Sequence, residues 1–194
     1  MRRGRYQLST AHAIYSFGDL YLNFRRAFER FDWAEHPVED VLLLGLGLGS
    51  IPLMLEETFH QNCRYTAVEI DEQVIDLAYR YVLSDLDSPI EMICADATAA
   101  VAQLPDESYD LICMDIFLDD TVPNQFESPD FLQALERLLR PGGVLLYNRL
   151  ASKTKDKRDS QAFFNGPFTE VFPAGRLLDV RGNYLLVSPG TAIE

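Results

Sequence analysis

Four features of this 194-residue sequence have residue types and spacing suited to chemistry. The first is a glycine-rich turn, Gly45-Leu46-Gly47-Leu48-Gly49-Ser50, directly after the apolar run Val41–Leu44. Gly45, Gly47 and Gly49 permit a tight turn and let ligand atoms come close to the backbone. A helix opening at Ser50 would aim its free N–H groups at the same place. The second is Glu69, twenty residues after Gly49, where a carboxylate can accept from both hydroxyls of a ribose. The third is Asp96 in Cys94-Ala95-Asp96-Ala97, set to accept from an adenine amino group. The fourth is Asp115, after Tyr109–Met114. An aliphatic amine of pKa about 10 is protonated at neutral pH, and a carboxylate can bind that ammonium and then take its proton. Each feature also has a bland reading. The glycines suit a ligand-free corner, either of Glu69 and Asp96 could cap a helix, and Asp115 could anchor a loop.

These residues matter only if folding brings them together. Val41–Leu44, Tyr65–Ile70, Ile90–Cys94, Tyr109–Met114 and Val144–Tyr147 are apolar runs that read as strands, the first of them buried on both faces. Between them lie helical segments. Ser50–Phe59 tolerates Pro52 in its first turn, Asp71 caps a helix to about Val82, and Ala97–Leu104 is short. Ser128-Pro129 opens a helix to Leu139, and Pro141-Gly142-Gly143 stops it. Arg176–Val180 and Asn183–Val187, joined at Arg181-Gly182, form a closing antiparallel pair. Strands and helices alternating in this way predict an α/β fold, a Rossmann-like, doubly wound, mostly parallel sheet. Ligands then bind beyond the carboxyl ends of the strands, where all four features fall. Ahead of the alternation, Ile14, Phe17, Leu20, Tyr21, Phe24, Phe28 and Phe31 recur at three- and four-residue spacing. They predict an amphipathic helix over residues 9–31 with its aromatics in the core.

Composition narrows the partners. A formal charge of −13 argues against tracking nucleic-acid phosphates, and no apolar run approaches the roughly 20 residues of a membrane span. Residues 81–136 hold thirteen Asp and Glu with no Lys, Arg or His. Asp106, Glu107 and Asp110 are read as solvated surface. Asp119 and Asp120, near Asp115, either line a site for a cationic substrate or belong to a solvent loop. Cys63, Cys94 and Cys113 are odd in number, lack metal-ligand spacing and read as buried strand residues in a reducing, cytoplasmic setting. His12, His36 and His60 are scattered, so no metal site is expected. Lys153–Arg158 reads as the exposed start of a helix. Self-association into a homo-oligomer is left open.

Together the glycine turn, Glu69 and Asp96 favour an adenosyl-sulfonium nucleotide: S-adenosylmethionine or its decarboxylated form. An NAD site is the rival, but its fingerprint wants glycine where Ser50 stands. Val41–Arg149 resembles the core of the class I methyltransferase-type fold and, within it, the spermidine synthase branch. The likeness lies in Leu43-Leu44 before the glycines, in Val68-Glu69-Ile70-Asp71, in Asp110–Asp115 and in Pro141-Gly142-Gly143-Val144-Leu145. It implies that Gly45, Gly47 and Gly49 wrap the methionine-derived part of the nucleotide. Glu69 would then hold the ribose, Asp96 the adenine, and Asp115 a small-molecule amine acceptor. It matches Tyr15 to a substrate-side tyrosine, though the neighbouring acid pair of that branch is absent. Leu118 stands where polyamine-synthesising members have a second aspartate, with Asp119 and Asp120 just after. The division expected is residues 1–37, a strand remnant at Arg5–Leu8 plus the amphipathic helix, and residues 38–194, the nucleotide-binding catalytic part, in one structural domain. The function expected is alkyl (aminopropyl-type) transfer to an amine. The alternatives are S-adenosylmethionine-dependent methyl transfer and a non-catalytic nucleotide-binding module.

Overall fold

The computed structural model describes residues 8–9, 14–16, 21–118 and 121–193. Its main sheet has seven strands: Asp40–Leu44 (β3), Arg64–Glu69 (β4), Ile90–Cys94 (β5), Tyr109–Met114 (β6), Leu139–Leu150 (β7), Arg176–Asp179 (β8) and Asn183–Ser188 (β9). They lie in the order β5-β4-β3-β6-β7-β9-β8. Pairing is parallel from β5 to β7, and β9 runs antiparallel to both its neighbours. Successive crossovers reverse direction between β3 and β6, which opens a crevice at the carboxyl ends of those two strands.

A separate antiparallel pair, Leu8–Ser9 (β1) with Ile14–Ser16 (β2), precedes helix α1, Leu22–Phe28. This corrects the helix expected over residues 9–31. Ile14-Tyr15-Ser16, with its β-branched and aromatic residues, suits a ladder better than a helix. Gly18 and Asp19 then put two poor helix formers between strand and helix. Of the strand expected at Arg5–Leu8, only Leu8 lies within the described residues.

The helices following the strands start where their caps dictate. Asp71 accepts from the Gln73 N–H ahead of α3 (Glu72–Tyr81), and Ser128 from the Phe131 N–H ahead of α5 (Pro129–Leu138). Each such cap contributes about 1 kcal/mol. Helix α5 ends at Leu138, ahead of Pro141-Gly142-Gly143, and β7 begins at once. Pairing with β6 then jumps from Tyr109–Leu139 to Leu111–Val144, so residues 140–143 bulge from the ladder.

Strand periodicity sorts the core into two layers. Val41, Leu43, Tyr65, Ala67, Leu111, Cys113, Val144, Leu146, Leu185 and Val187 face α1, α2 (Ser50–Glu57) and α3. Leu42, Leu44, Val68, Ile112, Met114, Leu145, Tyr147 and Leu186 face α4 (Ala97–Val101), α5 and α6 (Thr154–Phe163). Phe24, Ala27 and Phe28 of α1 are fully enclosed in the first layer, so the N-terminal helix packs into the same core as the sheet.

Two readings of single residues change. Asp110 is not a solvated surface acid. It accepts from the backbone N–H groups of Glu39 and Asp40 at 3.0 and 2.9 Å and pairs with Arg140, tying β3, β6 and β7 at their amino ends. Cys63 and Cys113 are buried, whereas Cys94 is exposed because β5 is the edge strand. No helix of the described residues is long and apolar enough to cross a membrane.

Candidate active site

The order of the strands sets the order of the site. Asp96 follows β5, Glu69 ends β4, Gly45 follows β3, Asp115 follows β6, and Asn148 lies near the end of β7. Neighbouring strands are about 4.8 Å apart, so these residues form one row along the carboxyl edge. Glu69, Gly45, Asp115 and Asn148 share the parity of the residues facing α1. Four of the row therefore open to the same side of the sheet.

At its centre lies the glycine turn. Gly45, Gly47 and Gly49 all have positive φ, at 90°, 52° and 75°. Gly45 is also needed for lack of a side chain. A Cβ there would lie 2.6 Å from the carbonyl oxygen of Asp115, whose own N–H donates to Leu44 O at 2.8 Å. Beside the turn, the Glu69 carboxylate accepts from Leu46 N–H at Oε2 (3.2 Å) and from Ile70 and Asp71 N–H at Oε1 (2.9 and 3.2 Å). A carboxylate has about four acceptor positions. One position on Oε2 thus remains for a hydroxyl, and a second hydroxyl must displace a long backbone bond.

Asp96 does cap a helix, as its bland reading allowed: Oδ1 accepts from Thr98 and Ala99 N–H. Its Oδ2 accepts from Gln125 Nε2 at 3.1 Å, which ties the turn of residues 124–127 to the edge. Between Glu69 and Asp71, Ile70 is 69% exposed, an apolar face at the rim that the sequence reading passed over.

The Asp115 carboxyl is the chemical centre of the row. Tyr21 Oη donates to its Oδ1 at 3.1 Å and Asn148 Nδ2 to the same oxygen at 2.8 Å. Burial pushes its pKa up to about 7, against the two donated hydrogen bonds, which pull it down. Burial also raises Tyr21 well above its ordinary value, with the Asp115 charge adding to the effect. The sequence places Tyr21 among the core aromatics; the signal it offers for more is that a buried tyrosine hydroxyl needs a partner. Tyr15 lies in β2, but its side chain lies outside the described residues, as do Asp119 and Asp120. Among the described residues no cluster of three or more His, Cys, Asp or Glu could hold a metal ion. The Cys63 thiol, pushed up to about 11 mainly by burial, is no nucleophile and lies at the opposite edge.

A carboxyl with a pKa near 7 gives a stability signature. Its pKa is higher folded than unfolded, so its stabilising contribution is complete below about pH 4 and is lost as pH rises through about 7. Asparagine at 115 can keep one oxygen for both donors without ever ionising. The melting temperature of Asp115→Asn relative to wild type should therefore rise between pH 5 and pH 8 by roughly 2–4 °C or more. A difference independent of pH would show that the carboxyl titrates normally.

The family model described as a methyltransferase domain matches residues 42–147, more than half of the chain and the whole polar row except Asn148. A probable polyamine aminopropyl transferase of Bifidobacterium longum is 33% identical over 107 residues, covering 55% of this chain and 23% of that protein. A polyamine aminopropyltransferase of Vibrio vulnificus is 28% identical over 157 residues, covering 80% and 52%. The eEF1A lysine and N-terminal methyltransferase of Bos taurus is 30% identical over 118 residues, covering 56% and 17%. The chain thus spans about half or less of the length of these relatives. Among solved structures, human methyltransferase-like protein 13 in complex with SAH superposes with a TM-score of 0.66 at 24% identity, covering 84% of this chain and 77% of that one. Spermidine synthase from Thermotoga maritima gives 0.64 at 17% identity, covering 97% and 75%. With the glycine turn, the strand order and a family model over the sheet core all in agreement, this chain belongs to the methyltransferase-domain family and has the class I fold.

Proposed function

We propose that the chain transfers an alkyl group from a sulfonium nucleotide to an amine, with Asp115 binding and deprotonating the amine. The observation that carries this reading is the Asp115 carboxyl itself. The backbone carbonyl of Asp115 abuts Gly45, its carboxyl is pinned at one oxygen by Tyr21 and Asn148, and burial pushes the pKa of that carboxyl up to about 7. A sulfonium is already activated, so the protein's task is to align a neutral nitrogen behind the transferred carbon. A base titrating near the working pH serves that task best.

The nucleotide would lie along the row. Gly45–Gly49 would take its methionine-derived part, Glu69 the ribose, Asp96 the adenine amino group, and Ile70 an apolar face of the ring. Aminopropyl transfer from decarboxylated S-adenosylmethionine is the leading form, because a donor tail bearing only an ammonium suits an acidic edge and the aminopropyltransferases are among the similar proteins. Methyl transfer to an amine is the second. It is favoured by the similarity to an eEF1A lysine and N-terminal methyltransferase and by Leu118, 74% exposed where a second aspartate would hold a polyamine. Incubating the protein with each donor and a panel of diamines, polyamines and lysine peptides, then reading product masses, decides between them. An aminopropyl adduct supports the first form and a methyl adduct the second; no adduct with any acceptor overturns the catalytic reading.

Glu69 offers an independent check. Glu69→Ala removes ribose acceptors worth roughly 3 kcal/mol, so Kd for either donor should rise about a hundredfold. Because Glu69 also holds three backbone N–H groups, the variant should melt a few degrees lower yet stay folded. Unchanged affinity would remove Glu69 from the site.

A further inference from the structure

Among the described residues the hydrogen bonds Asp115 accepts all land on Oδ1. One of the two donors, Asn148, is an amide that could sit either way round, offering Nδ2 or its carbonyl oxygen. Its orientation is set from the far side, where Asn183 Nδ2 donates to Asn148 Oδ1 at 2.9 Å. With its oxygen so engaged, Asn148 turns its NH2 to Asp115. The sheet makes this contact available. Because β9 runs antiparallel, its first residue, Asn183, lies at the carboxyl edge. It stands opposite Leu150 and is a same-face diagonal neighbour of Asn148.

We propose that Asn183 is a positioning residue for Asp115: by holding the Asn148 amide with its NH2 toward Asp115, it keeps Oδ1 occupied and leaves Oδ2 to receive the proton of the acceptor amine. The proposal rests on Asp115 acting as the base. In that step the ammonium N–H bond breaks, its electron pair stays on nitrogen as the nucleophile, and an O–H bond forms at Oδ2. The groups facing the Asp115 carboxyl are Tyr21 at the N-cap of α1, Cys113 on β6 and Asn148 from β7, while the backbone carbonyl of Asp115 abuts Gly45 just after β3. Tyr21 and Cys113 are both raised by burial, so they stay neutral while Asp115 titrates.

The test is carbon-13 NMR of the protein labelled at aspartate carboxyls, with the Asp115 signal assigned by its loss in Asp115→Asn. In Asn183→Asp the new side chain only accepts, so Asn148 turns its NH2 away and its oxygen toward Asp115. The Asp115 midpoint should move up by about one pH unit or more. Asn183→Leu carries no charge and frees Asn148 to rotate, so the midpoint should move up by less. In wild type, the Asn148 side-chain amide protons should shift with the Asp115 midpoint, a readout that holds even where a variant does not fold. Midpoints in both variants equal to wild type, or Asn148 protons blind to Asp115, overturn the proposal. The readout needs no acceptor, so it can fail while Asp115 remains the base. Conversely, full turnover in Asp115→Asn would end the base reading whatever the midpoints show.

Discussion

Asp115→Asn is expected to lower turnover by a factor on the order of a hundred or more while leaving donor affinity little changed. The substitution suits the geometry. An asparagine oxygen in place of Oδ1 still accepts from Tyr21 and Asn148, so the local network survives. Only the charge that binds an ammonium and the base that deprotonates it are lost. A structural role for Asp115 predicts the opposite outcome, a variant that is nearly silent. Turnover measured beside calorimetric donor binding separates the two, and an Asp115→Asn protein as fast as wild type would remove the role assigned to this residue.

Gly45→Ala should have the largest effect on both folding and binding. A methyl at this position meets the Asp115 carbonyl oxygen at 2.6 Å and its carbon at 2.9 Å, and both belong to the backbone just past the end of the neighbouring strand β6. Nor does the backbone suit alanine, with φ at 90°. Strain of roughly 1–3 kcal/mol from the conformation, plus the forced separation of β3 from β6, should lower the melting temperature by about 6 °C or more and abolish donor binding. Gly49→Ala is a useful contrast. Its nearest obstacle, Leu83 Cδ2, is the end of a flexible side chain that can move aside. It should therefore fold better than Gly45→Ala. Gly45→Ala melting within a degree of wild type would mean that the two strand ends are not closely locked.

Much of this architecture is legible in the sequence. Uninterrupted apolar runs such as Val41–Leu44 belong to strands covered on both faces, and Asp71 and Ser128 announced the helices they cap. The glycines and the strand-end acids were legible because each has a local reason for being where it is. The N-terminal segment was harder, since aromatics at three- and four-residue spacing also occur where a short strand leads into a short helix. Tyr21 was hidden among the phenylalanines of that run. Asn148 and Asn183 carry no local signal at all. Their meeting depends on β9 inserting antiparallel beside β7, a non-local pairing across 35 residues. Asp110 looks solvated in the sequence for the same reason: the N–H groups it accepts from lie 71 and 70 residues earlier.

The most direct test of the central claim is calorimetric titration of the protein with S-adenosylmethionine, its decarboxylated form and methylthioadenosine, in wild type and in Glu69→Ala. A sulfonium nucleotide held by the Gly45–Gly49 turn and Glu69 predicts one saturable site in wild type for at least one sulfonium donor, weakened about a hundredfold by Glu69→Ala. Saturable binding that is unaltered in Glu69→Ala, or no binding of any of the three by wild type, would contradict the account.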